Sequence, residues 1–246
     1  MDIASNVATS RLVAQQRAMD VMADNIANAN TPGFKAQRMQ FSDWLSPQKS
    51  TAPQGGGTIV YTQDRATWRE QQVGTLSHTG NPLDLALGRD GYFTVQTANG
   101  QRLTRDGRFG LQANGTLADS AGNAVLDSNG QRIQFAPTDT QITIAADGTV
   151  STENGQLAKV GVVNPSDPMQ LTAEGNTLFR ADTTTTAPVI APAIVQGSIE
   201  DSNVQPVLET TRMMDGERQF QFMMQFIQAE SERQQSVIDK LLSPQV

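Results

Sequence analysis

The chain has no cysteine and a single histidine in 246 residues. Without cysteine there are no disulfides, no thiolate nucleophile and no Cys-ligated zinc. His78 sits in "LSHTG" and reads as a surface or turn residue. No Gly-x-Ser-x-Gly motif surrounds any serine, so no nucleophile–base–acid set assembles around that one imidazole. Aromatic residues make up only 5%, which argues against a thick aromatic core. No stretch approaches the roughly 18 consecutive apolar residues of a membrane span, so no direct membrane insertion is expected. The opening "MDIASNVATS" lacks a basic segment and an unbroken apolar one, so no cleavable secretory signal is expected. Positive charge is also short. Eighteen Lys and Arg against 25 Asp and Glu leave a net charge of −7, unsuited to a nucleic-acid partner. There is no Gly-rich phosphate loop ending in Lys-Ser/Thr. "DSNGQ" (127–131) starts like a calcium loop but has no Glu at its twelfth position, and reads as a hairpin turn. No enzyme activity, cofactor or metal is therefore expected.

What is present falls into three regions. In the first, Ala8, Leu12, Gln15, Met19, Met22 and Ile26 recur at alternating spacings of four and three, which predicts one stripe along a helix. Val7, Ala14, Ala18 and Val21 form a second apolar stripe, so this helix is expected to be covered by more than one neighbour. "NTPG" (30–33) ends it, because the residue before proline avoids helical backbone angles and proline has no amide donor. The following Phe34 and Lys35 look exposed.

The middle region changes period. "LDLAL" (83–87), "GYFTVQ" (91–96), "LAKVGVV" (157–163) and "TLFRA" (177–181) are short and strand-like. Between the strands stand Asp-Gly or Asn-Gly pairs at 90, 99, 106, 114, 129, 147 and 154, dipeptides that suit tight hairpins. An antiparallel β domain follows. "SPQKSTAPQGGG" (46–57) reads as a connector into it and "DTTTTAPVIAP" (182–192) as a spacer leading out. Arg102, Arg105 and Arg108 form a basic group, read either as a solvated hairpin face or as a contact with an acidic neighbour.

The third region is helical again. Ser202 with Gln205 fits a capping box, and Pro206 falls in the first turn. Met213, Phe220, Met224, Ile227, Ser231, Gln234, Ile238 and Leu241 draw a mostly apolar heptad stripe, with Gly216 a weak spot inside it. Such a helix reaches about 60 Å. The first helix is too short to cover it, so part of the stripe is expected to be buried by other molecules.

"MADNIANANTPGFKA" (22–36), "GTLSHTGNPLDLALGRDGYFTVQ" (74–96), "LTRDGRFGLQANGTLADSAGNAVL" (103–126) and "QGSIEDSNVQPVLE" (196–209) together resemble the bacterial flagellar rod and hook family, in the right order along the chain. Within that family the proximal-rod type is the nearer match and the distal-rod type the runner-up. Arg89 departs from the small or polar residue the family has there.

The resemblance implies an α+β fold. Long N- and C-terminal helices would pair as a coiled-coil-like inner layer, with an inserted, mainly antiparallel β domain. The expected division is 1–33 for the N-terminal helix and signature turn, 34–65 for an extended linker, 66–195 for the β domain and 196–246 for the C-terminal helix. It also implies a structural subunit of the rod in the periplasm, exported by the flagellar type III apparatus without a cleaved signal. Its partners would be other copies of itself and neighbouring rod proteins. A distal-rod or hook-type axial protein, or a secreted β-domain binding module, is the alternative. The residues that carry the signature, and are expected to serve assembly, are Leu12, Met19, Asn25, Ile26, Asn28, Pro32, Gly33, Phe34 and Lys35 at the N-terminal end. Asn81, Pro82, Leu83 and Asp84 stand in the β domain, and Ser202, Asn203, Val204, Phe220, Met224 and Ile227 near the C-terminal end. In this reading Phe34 docks on a neighbouring helix; the residues alone equally allow it to pack on its own domain.

Overall fold

The computed structural model describes residues 3–47, 58–175, 177–181 and 184–242. The fold is α+β: a helix from each end of the chain, and an antiparallel β domain between them in sequence. It divides into two compact units, one of residues 1–27, 37–68 and 205–246, the other of residues 28–36 and 69–204.

In the first unit, helix α1 (Ile3–Ala27) packs against helix α2 (Pro206–Leu242). Gln15 meets Gln219, Met19 lies beside Gly216 and Asn25 reaches Glu209, so the helices run antiparallel. Both stripes expected on α1 are covered: Ala8 and Ala14 are buried, while Leu12, Met19, Met22 and Ile26 are half-buried. The second cover comes from the strand Gln37–Pro47, which packs on α1. That strand pairs with Thr58–Arg69 in a two-stranded ribbon. The first falls, and the second begins, where an extended linker over 34–65 is expected. "FSDWL" and "TIVYT" are rich in aromatic and β-branched residues, which favour a pleated ladder over a solvated coil. The connector residues 48–57 lie outside the described residues.

The stripe on α2 differs from the expected one. From Glu209 to Lys240, the residues that are not exposed are Glu209, Met213, Gly216, Phe220, Met223, Ile227, Glu230 and Gln234, a strict alternation of four and three. Met213, Phe220, Ile227 and Gln234 were placed correctly. Met224 and Ile238 are each 48% exposed, and Ser231 is exposed too. Geometry sets the seam, which runs through Glu209, Gly216, Met223 and Glu230 and not through Met224, Ser231 or Ile238. The side chain of Leu241 lies outside the described residues.

In the second unit the main sheet is antiparallel. Tyr92–Thr97 and Gly100–Thr104 form its central hairpin around the two-residue loop Ala98–Asn99. Leu178–Arg180 and Thr172–Glu174 extend the sheet on one side. Ala124–Val125, Leu117–Asp119 and Phe109–Leu111 extend it on the other. Thr186–Pro188, inside the expected outgoing spacer, pairs with Val163–Pro165 and is part of the sheet. The core gathers Leu85, Leu87, Phe93, Val95, Leu117 and Val125, with Phe93 and Phe109 edge to face at 5.3 Å. Six of the seven expected turn glycines have positive φ. Gly107 is the exception: a Cβ there would lie 1.6 Å from the carbonyl oxygen of Leu85, so close approach of two backbones demands it.

Two short sheets carry the ends of the domain. Ile194–Gln196 pairs with Leu85–Leu87, and Ser198–Glu200 with Leu76–His78. His78 is exposed, as expected of a surface residue, but lies on that strand, not in a loop. Ser202 does not cap α2. Its hydroxyl accepts from the amide of Val204, and the first helical turn closes from Glu209 N–H to Gln205 C=O.

Candidate assembly site

The signature stretch Asn28–Ala36 belongs to the second unit, and its turn is built by local bonds. Thr31 donates from its amide to Asn28 O and from its hydroxyl to Asn28 Oδ1. Pro32 follows, then Gly33 at φ 68°, where a Cβ would collide with the backbone of Arg105 at 2.3 Å. Only glycine fits there, on both counts. The Gly33 amide donates to the backbone oxygen of Glu200 at 2.8 Å.

Phe34 and Lys35, expected to be exposed, are 2% and 1% accessible. Phe34 packs with Ala36, Val204 and Ala29 in its own unit, so the docking of Phe34 on a neighbouring helix is overturned. Asn203 holds this segment by three bonds: its Oδ1 accepts from Ala36 N at 2.7 Å, and its Nδ2 donates to the carbonyls of Glu70 and Gln72.

Next to Phe34 in sequence, Lys35 enters a buried ionic cluster. Lys35 Nζ donates to Glu200 Oε1 at 2.5 Å and to Gln72 O at 2.8 Å. The same carboxylate oxygen accepts from Gly74 N, and Arg105 Nε stands 3.4 Å from the other oxygen. Burial pulls the Lys35 ammonium below its ordinary pKa, against the attraction of Glu200. The Arg105 guanidinium also lies over the Tyr92 ring, whose hydroxyl burial pushes upward in pKa. The expected basic group is thus largely internal: Arg105 pairs with Glu200 and Arg102 with Glu174 at 2.6 Å, while Arg108 alone is exposed. Arg102, on the strand Gly100–Thr104, and Arg105, just past its end, are both buried against carboxylates distant in sequence, which charge counting cannot see.

The Asn81–Asp84 stretch is a self-contained turn. Asp84 accepts from the Thr79 hydroxyl at 2.7 Å and from Asn81 Nδ2 at 3.0 Å. Leu83 donates its amide to Asn81 Oδ1, and Pro82 O accepts from Gln196 Nε2. These bonds make the motif a structural fixture of the domain edge.

In the first unit, Asn25 is fully buried. Its carboxamide donates to Gln37 O at 2.9 Å and accepts from Gln37 N at 2.8 Å, as a neighbouring strand would. Glu209, 1% accessible, accepts from Arg38 at 2.6 Å and Arg212 at 2.8 Å. Leu12, Met19 and Ile26 line α1, and Phe220 and Ile227 line the α2 seam. Sequence reasoning missed Glu200, Arg38 and Glu209, and named Arg105 without its internal partner. Glu200 and Glu209 lie within a recognised motif and Arg38 just past one, and no periodicity separates such a residue from a solvated one. Among the described residues no group of His, Asp and Glu is placed to hold a metal ion.

Comparison with known proteins matches this organisation. Residues 6–35 match the model described as flagella basal body rod protein. Residues 86–152 match the flagellar hook protein FlgE/F/G D1 domain, and residues 195–240 the flagellar basal body rod FlgEFG protein C-terminal model. The chain is 35% identical to the flagellar basal-body rod protein FlgF of Caulobacter vibrioides over 98% of both chains. It is 33% identical to FlgG of Bacillus subtilis, covering 91% of this chain and 93% of that one. With FlgF of Salmonella typhimurium the identity is 32% over 92% of each.

Proposed function

The chain belongs to the family of flagellar basal-body rod proteins, a family named for a structure and not for a reaction, and from that premise we propose that it is a rod subunit joined to its neighbours through α1 and α2. The observation that carries this reading is the surface of α2. At 100° per residue, Val207, Met214 and Phe222 fall on the side away from the α1 seam, at 82%, 51% and 71% exposure. Leu208, Phe226 and Val237 run along one flank, and Met224 lies on the other. A helix with apolar side chains all round is one that neighbours surround. Burying each such side chain contributes about 1.5–3 kcal/mol gross. Helix α2 also overhangs its partner. The pairings of Gln15 with Gln219 and Asn25 with Glu209 bring Ile3 level with about residue 231, which leaves roughly 15 Å of α2 beyond α1.

Contacts of this kind, repeated head to tail without closing, produce a tube. A tube of shallow, many-fold contacts transmits torque with no moving catalytic group. The family locates the chain in the flagellar basal body. Our reading goes further: the rod segment within the periplasm, export by the flagellar type III apparatus without a cleaved signal, and other rod subunits as partners. We assign the proximal, FlgF-type position, supported by the 35% identity to the Caulobacter FlgF over nearly the whole chain. The distal, FlgG-type position is the second reading, supported by the Bacillus relative.

Deleting residues 1–30 or 205–246 tests the assembly reading. Neither truncated chain should co-purify with basal bodies, and retention of either one overturns the proposal. Antibody labelling of isolated rods tests the position: label at the hook end would favour the distal reading.

A further inference from the structure

Helices α1 and α2 meet along a seam that is poor at choosing its own alignment. The α1 side presents Ala14, Ala18, Met19 and Met22, and the α2 side Met213, Gly216 and Met223 together with Phe220 and Ile227. Small residues and unbranched methionines repack readily. Sliding one helix past the other by a turn, about 5.4 Å, still sets apolar against apolar. The Gln15–Gln219 bond, at 3.3 Å, is exposed and uncharged and discriminates little.

One place on the seam does discriminate. Asn25 is fully buried with both ends of its carboxamide on the backbone of Gln37, and its Nδ2 lies 3.5 Å from Glu209 Oε2. Glu209 is a buried carboxylate held by Arg38 from the ribbon strand and Arg212 from its own helix. Sliding α1 would take the buried Asn25 carboxamide off Gln37 and leave both without these partners. Sliding α2 would carry Glu209 away from Arg38 and leave a buried charge short of a partner. Either slip is opposed, and by groups whose geometry tolerates no one-turn error. We propose that the Asn25–Glu209–Arg38 cluster sets the register of α1 against α2, and so decides which apolar residues of α2 face outward. A buried polar group that specifies helix register at some cost in stability has precedent in coiled coils.

The absence of cysteine allows a direct test on the full-length chain, in which engineered pairs report register by disulfide formation. Gln15→Cys with Gln219→Cys reads the native alignment. Gln15→Cys with Met223→Cys or with Asp215→Cys reads a slip of one turn in either direction. Each pair is placed in the native background and in a background carrying Asn25→Leu and Glu209→Met. In the native background the 15–219 crosslink should exceed both slipped crosslinks at least tenfold. In the altered background, with helix content by circular dichroism retained, that ratio should fall at least tenfold. Glu209→Gln alone should give an intermediate ratio, and Met213→Leu none of the effect. An unchanged ratio in a helical Asn25→Leu, Glu209→Met chain overturns the proposal, since the apolar seam would then suffice. Loss of helix content overturns it as well, because the cluster would then supply pairing itself and not its register. These readouts come from the isolated chain, so they succeed or fail independently of incorporation into a rod.

Discussion

Glu200 and Lys35 face one another at 2.5 Å with each about 1% accessible, across 165 residues of sequence. The contact ties the N-terminal signature turn to the strand that leads into the C-terminal one. Its two ends are not equivalent. Lys35→Met leaves Glu200 with Arg105 and the Gly74 amide, whereas Glu200→Gln leaves two buried cations without an anion. Breaking a buried pair costs about 3–5 kcal/mol, and we expect the Glu200 variant at the upper end and the Lys35 variant clearly below it. Urea unfolding midpoints of the two variants check the order.

The same lysine gives a pH dependence. Its folded pKa lies below 10.5, so between that value and 10.5 the unfolded chain binds more protons and stability rises with pH. Lys35's contribution is thus fullest above 10.5 and is lost as pH falls through the folded pKa. Tyr92 has the opposite sign: its pKa is raised above 10.0, and its contribution is lost as pH climbs through the folded value. In a Tyr92→Phe background the alkaline rise should stand clear, and adding Lys35→Met should abolish it.

Glu153 accepts bonds from the Thr140 amide and hydroxyl and from the Gln141 amide, which hold its carboxyl at about 2 instead of 4.5. The contribution is present above pH 4.5 and lost as pH falls toward 2. In an NMR titration the Thr140 and Gln141 amide shifts should move with a midpoint near 2. A midpoint near 4.5 would show that the loop bonds are not formed.

Gly33 and Gly80 share a positive φ, at 68° and 76°, but only Gly33 presses on another backbone. Gly80→Ala should cost about 1–2 kcal/mol, the strain of left-handed backbone. Gly33→Ala should cost at least about 2 kcal/mol more, because the backbone at Arg105 must move. Thermal unfolding of the two variants isolates the collision from the strain.

The surface and the seam of α2 should separate cleanly. Phe222→Ser, at a 71% exposed position, should leave the stability of the isolated chain within about 0.5 kcal/mol while lowering its recovery in basal bodies. Phe220→Ala, on the seam, should cost about 2 kcal/mol in the isolated chain. Equal recovery of the Phe222 variant would remove that residue from the assembly surface.

The sequence by itself determined the three-part plan, the helix stop at Pro32 and Gly33, and most of the hairpins, because these rest on local backbone chemistry. Proline fixes φ and glycine opens its positive range wherever they stand, and an Asn-Gly pair turns the chain without help from distant residues. The α1 stripes were legible for the same reason, since 3.6 residues per turn is a property of the helix alone. The ribbon at 37–69 was hidden because strand propensity becomes structure only when a partner strand pairs with it. Only the tertiary structure decided that Phe34 and Lys35 are inside, that Arg105 and Glu200 meet, and that the α2 seam runs through Gly216 and Glu230 and not Met224. A charge is read from sequence as solvated, and the free energy that holds one inside comes from charged partners up to 171 residues away.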